Sequence, residues 1–384
     1  MWRNLASNAL TFFVVLLFVI GGVIIWGKQQ YDSPGPLAQA ICLKVERGSN
    51  MARVSRELEA RGAVSSGTLF RMGANYENKA SDLKAGSFLI RPGSSMREIV
   101  EAITQGGKST CGTEVVYRIG VRGSEIRLRQ LDPASNRYVE TLSFDPLAGE
   151  IPAAYRKARE EGDLRYRIAL AEGVTSWQVA EALKAADFLE GEIAEIPPEG
   201  WLAPDSYEVK AGSSRTDLIA RMRAAQERIL AEAWENRAEG LPLTTPEEAL
   251  ILASLIEKET GVSEERRQVA SVFINRLKKG MRLQTDPAVI YGITRGQGVL
   301  GRGLRQSELR RQTPYNTYLI DGLPPTPIAN PGRASIEAAI NPDDTDFLFF
   351  VADGTGGHAF ARTLREHNRN VARWRKIEAE RSGN

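Results

Sequence analysis

From Ala9 to Trp26 the chain is apolar without a break, carrying no charge and Thr11 as its only hydroxyl. At about 1.5 Å per residue a helix of that length spans roughly 27 Å, enough for the hydrocarbon core of a bilayer. Trp2 and Trp26 stand at its two ends, where interfacial aromatics belong. The pattern predicts a membrane-spanning helix over 9–26 behind a short tail, 1–8. The competing reading, a cleaved signal peptide, needs a shorter apolar run and a small-x-small site, and none follows GKQQYD. Residues 27–40, with Ser, Gly and two prolines, read as a tether.

A second rhythm recurs three times beyond the tether. VERGSNMARVSRELEARG (45–62), IRPGSSMREIVEAITQGG (90–107) and LAEGVTSWQVAEALKAAD (170–187) each give a strand-like start, a Gly, a Ser or Thr, and an amphipathic helix. In the first, Ser49 has cap spacing, with Met51, Val54 and Leu58 behind it; in the third, Thr175 caps, with Val179, Ala180 and Leu183 behind. Between the second and third units, EVVYRIGVRGSEIRLRQLD and NRYVETLSF alternate apolar and polar residues and predict a small antiparallel sheet. YRKAREEGDLR then reads as a charged, solvated helix.

A third pattern fills 244–286. Thr245 has the place of an N-cap, Pro246 of the first helical residue and Glu248 of a capping-box partner; the helix runs to Thr260 and stops at Gly261. Ser263 is expected to cap a second helix, acidic at its start, basic at Arg276, Lys278 and Lys279, and ended by Gly280. Ahead of this pair, Thr216 to Ala238 forms another amphipathic helix. Behind it come a helix opened by Pro287, a proline-rich run from Leu323 to Pro331 read as a stiff rim loop, and a strand at Phe347–Ala352. A glycine turn then leads to a short strand beginning at His358.

The first helix of the pair carries two glutamates two residues apart, and these face about 200° away from each other. Counting back from Glu259 by three, four and seven gives Ile256, Leu255 and Leu252, an aliphatic stripe; from Glu257 the same count gives Ser254, Ala253 and Leu250. Glu259 is therefore the carboxyl carried toward the apolar side, where desolvation raises its pKa and suits it to general-acid work. A solvated last-turn residue, or one paired with Lys or Arg, is the plain alternative. Gln284, Thr285 and Asp286 lie on the loop after the pair, and Asp286 has an alternative as a cap of the Pro287 helix. Tyr315 has the chemistry to stack on a pyranose and Asn316 to bond an N-acetyl group, against a turn with buried tyrosines.

The chain has 384 residues and a net charge of +2, which suits two or three domains and gives no basic stripe for nucleic acid. Cys42 and Cys111 have no metal-ligand spacing; a disulfide and two free thiols remain open. With two histidines, His358 and His367, and no Cys or Ser motif beside them, neither a catalytic triad nor a metal site is expected; His358 reads as structural. Asp205, in APDSY, has the setting of turn chemistry.

The run LASLIEKETGVSEERRQVASVFINRLKKGMRLQTDPAVIYG resembles the signature of the endolytic murein transglycosylases, the MltG/YceG-like family. TPYNTYLIDGLPPTPIANPG (313–332), FLFFVADGTGGHAF (347–360) and EGWLAPDSYEV (199–209) resemble further segments of it, so the likeness spans about 165–372. It implies an α+β fold: one transmembrane helix, a LysM-like module at 41–107, a β-rich insertion at 108–165, a second strand–helix module at 166–196, and a catalytic domain at 197–384 with a lysozyme-like helical core. It places the catalytic glutamate in the EKE segment, at Glu259 by the stripe, with Glu257 as the alternative. It also implies cleavage of the MurNAc-β-1,4-GlcNAc bond within nascent glycan strands to leave a 1,6-anhydro end. One carboxyl suffices for that, and no cofactor or metal is required. The implied partners are peptidoglycan strands and inner-membrane synthases, with the N-terminus cytoplasmic and the remainder periplasmic. A non-catalytic binding scaffold and a lysozyme-type hydrolase, with Asp286 or Asp205 as second carboxylate, are the alternatives.

Overall fold

The computed structural model describes residues 2–105, 110–160 and 164–382. The ends of the second repeat (106–107), of the 41–107 module and of the tail 1–8, and parts of the insertion (108–109) and its charged helix (161–163), lie outside the described residues. The first helix, α1 (Trp2–Asp32), holds the one span among the described residues that is long and apolar enough to cross a membrane, Leu10–Asp32. It runs through the first part of the expected tether. The reason is tertiary: Tyr31 is buried against Gly73, where any Cβ would strike the ring, and Asp32 accepts from Arg97 Nε at 2.7 Å.

Three helices and two strands follow: β1 (Ile41–Val45), α2 (Met51–Ala60), α3 (Gly67–Tyr76), β2 (Gly86–Ile90) and α4 (Met96–Thr104). β1 and β2 pair antiparallel, Ile41 opposite Ile90. Leu43, Leu58, Phe70, Phe88, Ile99 and Ile103 fill the core beneath them. Then come β3 (Thr113–Ile119), β4 (Ser124–Asp132), β5 (Arg137–Phe144), α5 (Ala153–Glu160), β6 (Leu164–Leu170), α6 (Ser176–Ala185), β7 (Leu189–Glu190), β8 (Ser206–Val209) and β9 (Ser213–Ser214). The expected strands of the insertion join two later ones in a five-stranded sheet, ordered β5-β4-β3-β6-β8.

All three repeats fold as predicted, strand to turn to helix. Each turn holds a glycine in the left-handed region: Gly48 at φ 78°, Gly93 at 70° and Gly173 at 76°, a conformation that costs an L side chain energy. Thr175 caps α6 in a full capping box with Gln178, and Ser95 does the same for α4 with Glu98. In the first repeat the cap is Asn50 rather than Ser49; the Asn50 side chain accepts from Arg53 N at 2.9 Å.

The remainder is helical. It comprises α7 (Arg215–Glu235), α8 (Pro246–Glu259), a 3-10 turn (Ser263–Glu265), α9 (Arg266–Lys278), α10 (Asp286–Thr294), α11 (Gln306–Leu309), α12 (Arg333–Ile340), the hairpin β10 (Phe349–Ala352) with β11 (His358–Ala361), and α13 (Leu364–Ser382). Helix α8 is the axis of this part. Its residues Ala249 to Ile256 are buried on every face, packed by α7, α9, α10 and α12 around Phe273, Ile336 and Ile340. Two expected caps are rearranged. Glu248 accepts from Thr244 N and Oγ1 instead of closing back on Thr245, and Ser263 begins the 3-10 turn without capping it.

The chain divides into two compact units. The first holds residues up to Val115 with Leu128–Ser143 and Pro152–Arg165; the second holds Val116–Arg127, Phe144–Ile151 and Tyr166 onward. Within the first, Cys42 and Cys111 form a disulfide across 69 residues of sequence. Closing a loop of that length restricts the unfolded chain by about 4 kcal/mol. Replacing both cysteines with alanine is expected to lower the urea midpoint of this unit's unfolding; an unchanged midpoint would contradict it.

Candidate active site

Glu259 is the last residue of α8, and Thr260 is its C-cap. Three other segments converge on its carboxyl: the loop before α10 brings Thr285 and Asp286, α9 brings Arg276, and β11 brings His358. Burial is the dominant influence and pushes its pKa up to about 7. Asp286 adds to the rise, while the Thr285 hydroxyl, His358 and Arg276 oppose it. That hydroxyl is buried and makes no hydrogen bond of full geometry, so its influence is one of proximity. The exposed carbonyls at a helix C-terminus also disfavour a negative charge.

Glu257 has a different task. Its Oε2 accepts from Gly332 N at 3.1 Å and from Ser335 Oγ at 2.7 Å, so the carboxylate sits on the N-terminus of α12. The two glutamates do face apart, and one of them is consumed in fixing a helix.

Arg276 shapes the wall beside Glu259. It is buried, donates through Nε to Leu348 O at 2.7 Å, and through Nη1 to Leu283 O at 2.8 Å and Gln284 Oε1 at 3.3 Å. Its guanidinium lies 5.2 Å from the Phe349 ring centroid. This one side chain ties the β10 edge to the 282–284 loop. The loop is clasped from the other side by Thr317, whose Oγ1 accepts from Thr285 N at 2.9 Å and donates to Thr285 O at 3.1 Å. Gln284, at φ 53°, is exposed, and among the described residues its side-chain amide nitrogen has no hydrogen-bond partner.

Asp286 is exposed and begins α10, but it does not cap it: Oδ1 accepts from Tyr318 Oη at 2.7 Å. Sequence reasoning passed over Tyr318, whose pKa is raised by burial and then by that bond. Two expected sugar contacts turn out to be structural. Asn316 is 0% exposed, and its Nδ2 donates to the carbonyls of Leu309 and Arg311 at 3.0 and 2.8 Å while Oδ1 accepts from Tyr318 N. Both amide hydrogens are engaged within the protein and the side chain is enclosed. Tyr315 is buried, bonded to Thr326 Oγ1 at 2.9 Å and tilted against Tyr291.

His358 also has a structural anchor, as expected: Nδ1 lies 2.8 Å from Glu265 Oε2, and its backbone N–H donates to Glu265 Oε1. The proline-rich run is not a rim. Ile328, Ala329 and Asn330 are buried, and Asn330 bonds Val174 O and Leu202 N, so the run is stitched into the interior. Asp205 is exposed and accepts from Ser206 N, the turn chemistry expected of it.

A match to the YceG-like family covers residues 43–136 and 148–373. The chain belongs to this family. Curated relatives include an endolytic murein transglycosylase of Bacillus subtilis, 27% identical over 91% of this chain and 89% of the relative. Another is the endolytic murein transglycosylase of Streptococcus pneumoniae serotype 2, 27% identical over 96% of this chain; the chain spans 65% of that relative's length. A crystal structure of a YceG-like protein from Listeria monocytogenes is similar at 25% identity and a TM-score of 0.47, covering 86% of this chain and 98% of that one.

The two glutamates predict opposite responses. Glu257→Gln weakens a charge-assisted helix contact and is expected to cost about 1–2 kcal/mol at neutral pH. Glu259 has a raised folded pKa, so the folded state binds a proton that the unfolded state has released, and its cost to stability grows as pH rises from 4.5 to about 7. Glu259→Gln is therefore expected to stabilise the chain at pH 8, by on the order of 2–3 kcal/mol, and to be nearly neutral at pH 4. Equal effects at both pH values, read by chemical denaturation, would refute the assignment.

Proposed function

We propose that this chain is a membrane-anchored endolytic peptidoglycan lytic transglycosylase, with Glu259 as its acid and base. The observation that carries the reading is the desolvated carboxyl whose pKa lies at about 7, in a chain whose family relatives bear that activity as their name. Protonated Glu259 gives its proton to the glycosidic oxygen as the bond to the muramyl anomeric carbon breaks. The resulting carboxylate takes the proton of that sugar's C6 hydroxyl, whose oxygen attacks the anomeric carbon and closes a 1,6-anhydro ring. The proton balance is zero over the cycle and no water is consumed, so the reaction is a lyase reaction.

In this reading Thr285, Asp286 and Gln284 line the glycan side of the acid, and Tyr318 holds Asp286 in place. Arg276 and His358 are positioning residues. The region from 197 onward, with α8 as its axis, serves as a lysozyme-like catalytic core, and β1, α2, α3 and β2 serve as a LysM-like module that holds glycan, a reading supported by their strand–helix–helix–strand order. The Leu10–Asp32 span anchors the chain, its N-terminus in the cytoplasm and the rest outside. The Cys42–Cys111 disulfide fits an oxidising compartment. Anchored there, the enzyme meets glycan as synthases of the same membrane extrude it.

One observation favours a second reading. Asp286 acts electrostatically on Glu259 and is exposed, so a pair of carboxyls is at hand and a lysozyme-type hydrolysis is the competing chemistry. Mass analysis of the products separates the two: an anhydro end supports the lyase, and a reducing end the hydrolase. Glu259→Gln is expected to lower formation of anhydro ends at least about 100-fold while Glu257→Gln retains it. The reverse pattern would move the acid to Glu257. The acid form is the active one, so kcat/KM is expected to hold below pH 7 and fall as pH rises through about 7. A profile flat to pH 9 would contradict a general acid at this position.

A further inference from the structure

Lys258 precedes the proposed acid on α8 and is carried about 100° round the helix from it. Its ammonium donates to Gly173 O at 3.2 Å, and among the described residues no carboxylate lies within ion-pair distance of it. Desolvation is the largest influence on its pKa and lowers it, while the Glu257 and Glu199 carboxylates, both beyond ion-pair distance, act in the opposite sense.

Lys258 lines a cavity of about 360 Å³. The walls are otherwise largely apolar, with Pro287, Ile290 and Tyr291 from α10 and Val299 from the glycine-rich loop behind it. Arg302 also reaches the cavity, but Glu308 holds its guanidinium with two bonds of 2.9 and 2.6 Å, so its charge is already met. Lys258 is thus the cation here with donors to spare. The cavity lies beside the reaction centre, because α10 lines it and begins at Asp286, the residue whose charge acts on Glu259.

A pyranose presents hydroxyls on every side and needs many polar partners. A site with mostly apolar walls, a few polar groups such as Thr175, Gln178 and Thr294, and one cation outside any ion pair suits a different group: a short acyl or peptidyl substituent ending in a carboxylate. On a murein strand that group is the peptide stem borne by the muramyl sugar. We propose that this cavity is a stem-peptide subsite in which the Lys258 ammonium pairs with a peptide carboxylate and selects peptide-bearing strands over bare ones. The inference rests on the transglycosylase reading and adds to it the form of strand that is cut.

The test uses the full chain in detergent and two substrates: uncrosslinked strands carrying their stems, and the same strands stripped by an amidase. The quantity read is the ratio of kcat/KM for anhydro-end formation on the two. The wild type is expected to favour stem-bearing strands, Lys258→Met to lower the ratio roughly tenfold, and Lys258→Arg to retain most of it. Val299 is 63% exposed, so Val299→Asp is tolerated by the fold and sets a carboxylate at the cavity wall; it too is expected to lower the ratio. A wild type with no preference, or ratios in Lys258→Met and Val299→Asp within twofold of wild type, would overturn the subsite and leave the activity standing. Absence of anhydro ends from either substrate would overturn the activity and the subsite with it.

Discussion

A carboxylic acid surrounded by protein rather than water keeps its proton, and the second unit is built so that Glu259 meets that condition. Helix α8 is buried along its length, which fixes its axis and rotation, and the acid stands at its end. Around it the neighbours are balanced. One carboxylate, Asp286, favours the neutral form, and two basic residues, Arg276 and His358, hold the shift in check. Burial is the largest of these influences, and the Thr285 hydroxyl, His358 and Arg276 act against it.

The surrounding polar network serves position more than recognition. Arg276, Thr317 and Asn316 spend their donors on main-chain carbonyls and thereby hold the loops that carry Gln284, Thr285 and Asp286. Glu257 locks α12 to α8, and α12 in turn covers the face of α8 opposite the acid. Rigid support of this kind fixes the position of the Glu259 carboxyl.

Much of this was written locally in the chain. The helical period alone separated Glu259 from Glu257, because two residues of offset reverse the face and the aliphatic stripe lay behind only one of them. The strand–turn–helix repeats were legible through their glycines and caps, since those residues act on their own backbone. What stayed hidden depends on partners distant in sequence. Asn316 looks like a sugar-binding amide until its carbonyl neighbours are known, and Tyr318 looks like a core aromatic until Asp286 is placed against it. The continuation of α1 past Trp26 is decided by Gly73, more than forty residues away. The Cys42–Cys111 bond required the fold to bring β1 to the segment beyond α4.

The most direct test of the central claim is a titration of the Glu259 carboxyl itself, by carbon NMR of the chain labelled at glutamate side chains, with the Glu259→Gln variant assigning the resonance. A midpoint near 7 is expected. A midpoint near 4.5, the ordinary value for a solvated glutamate, would contradict it.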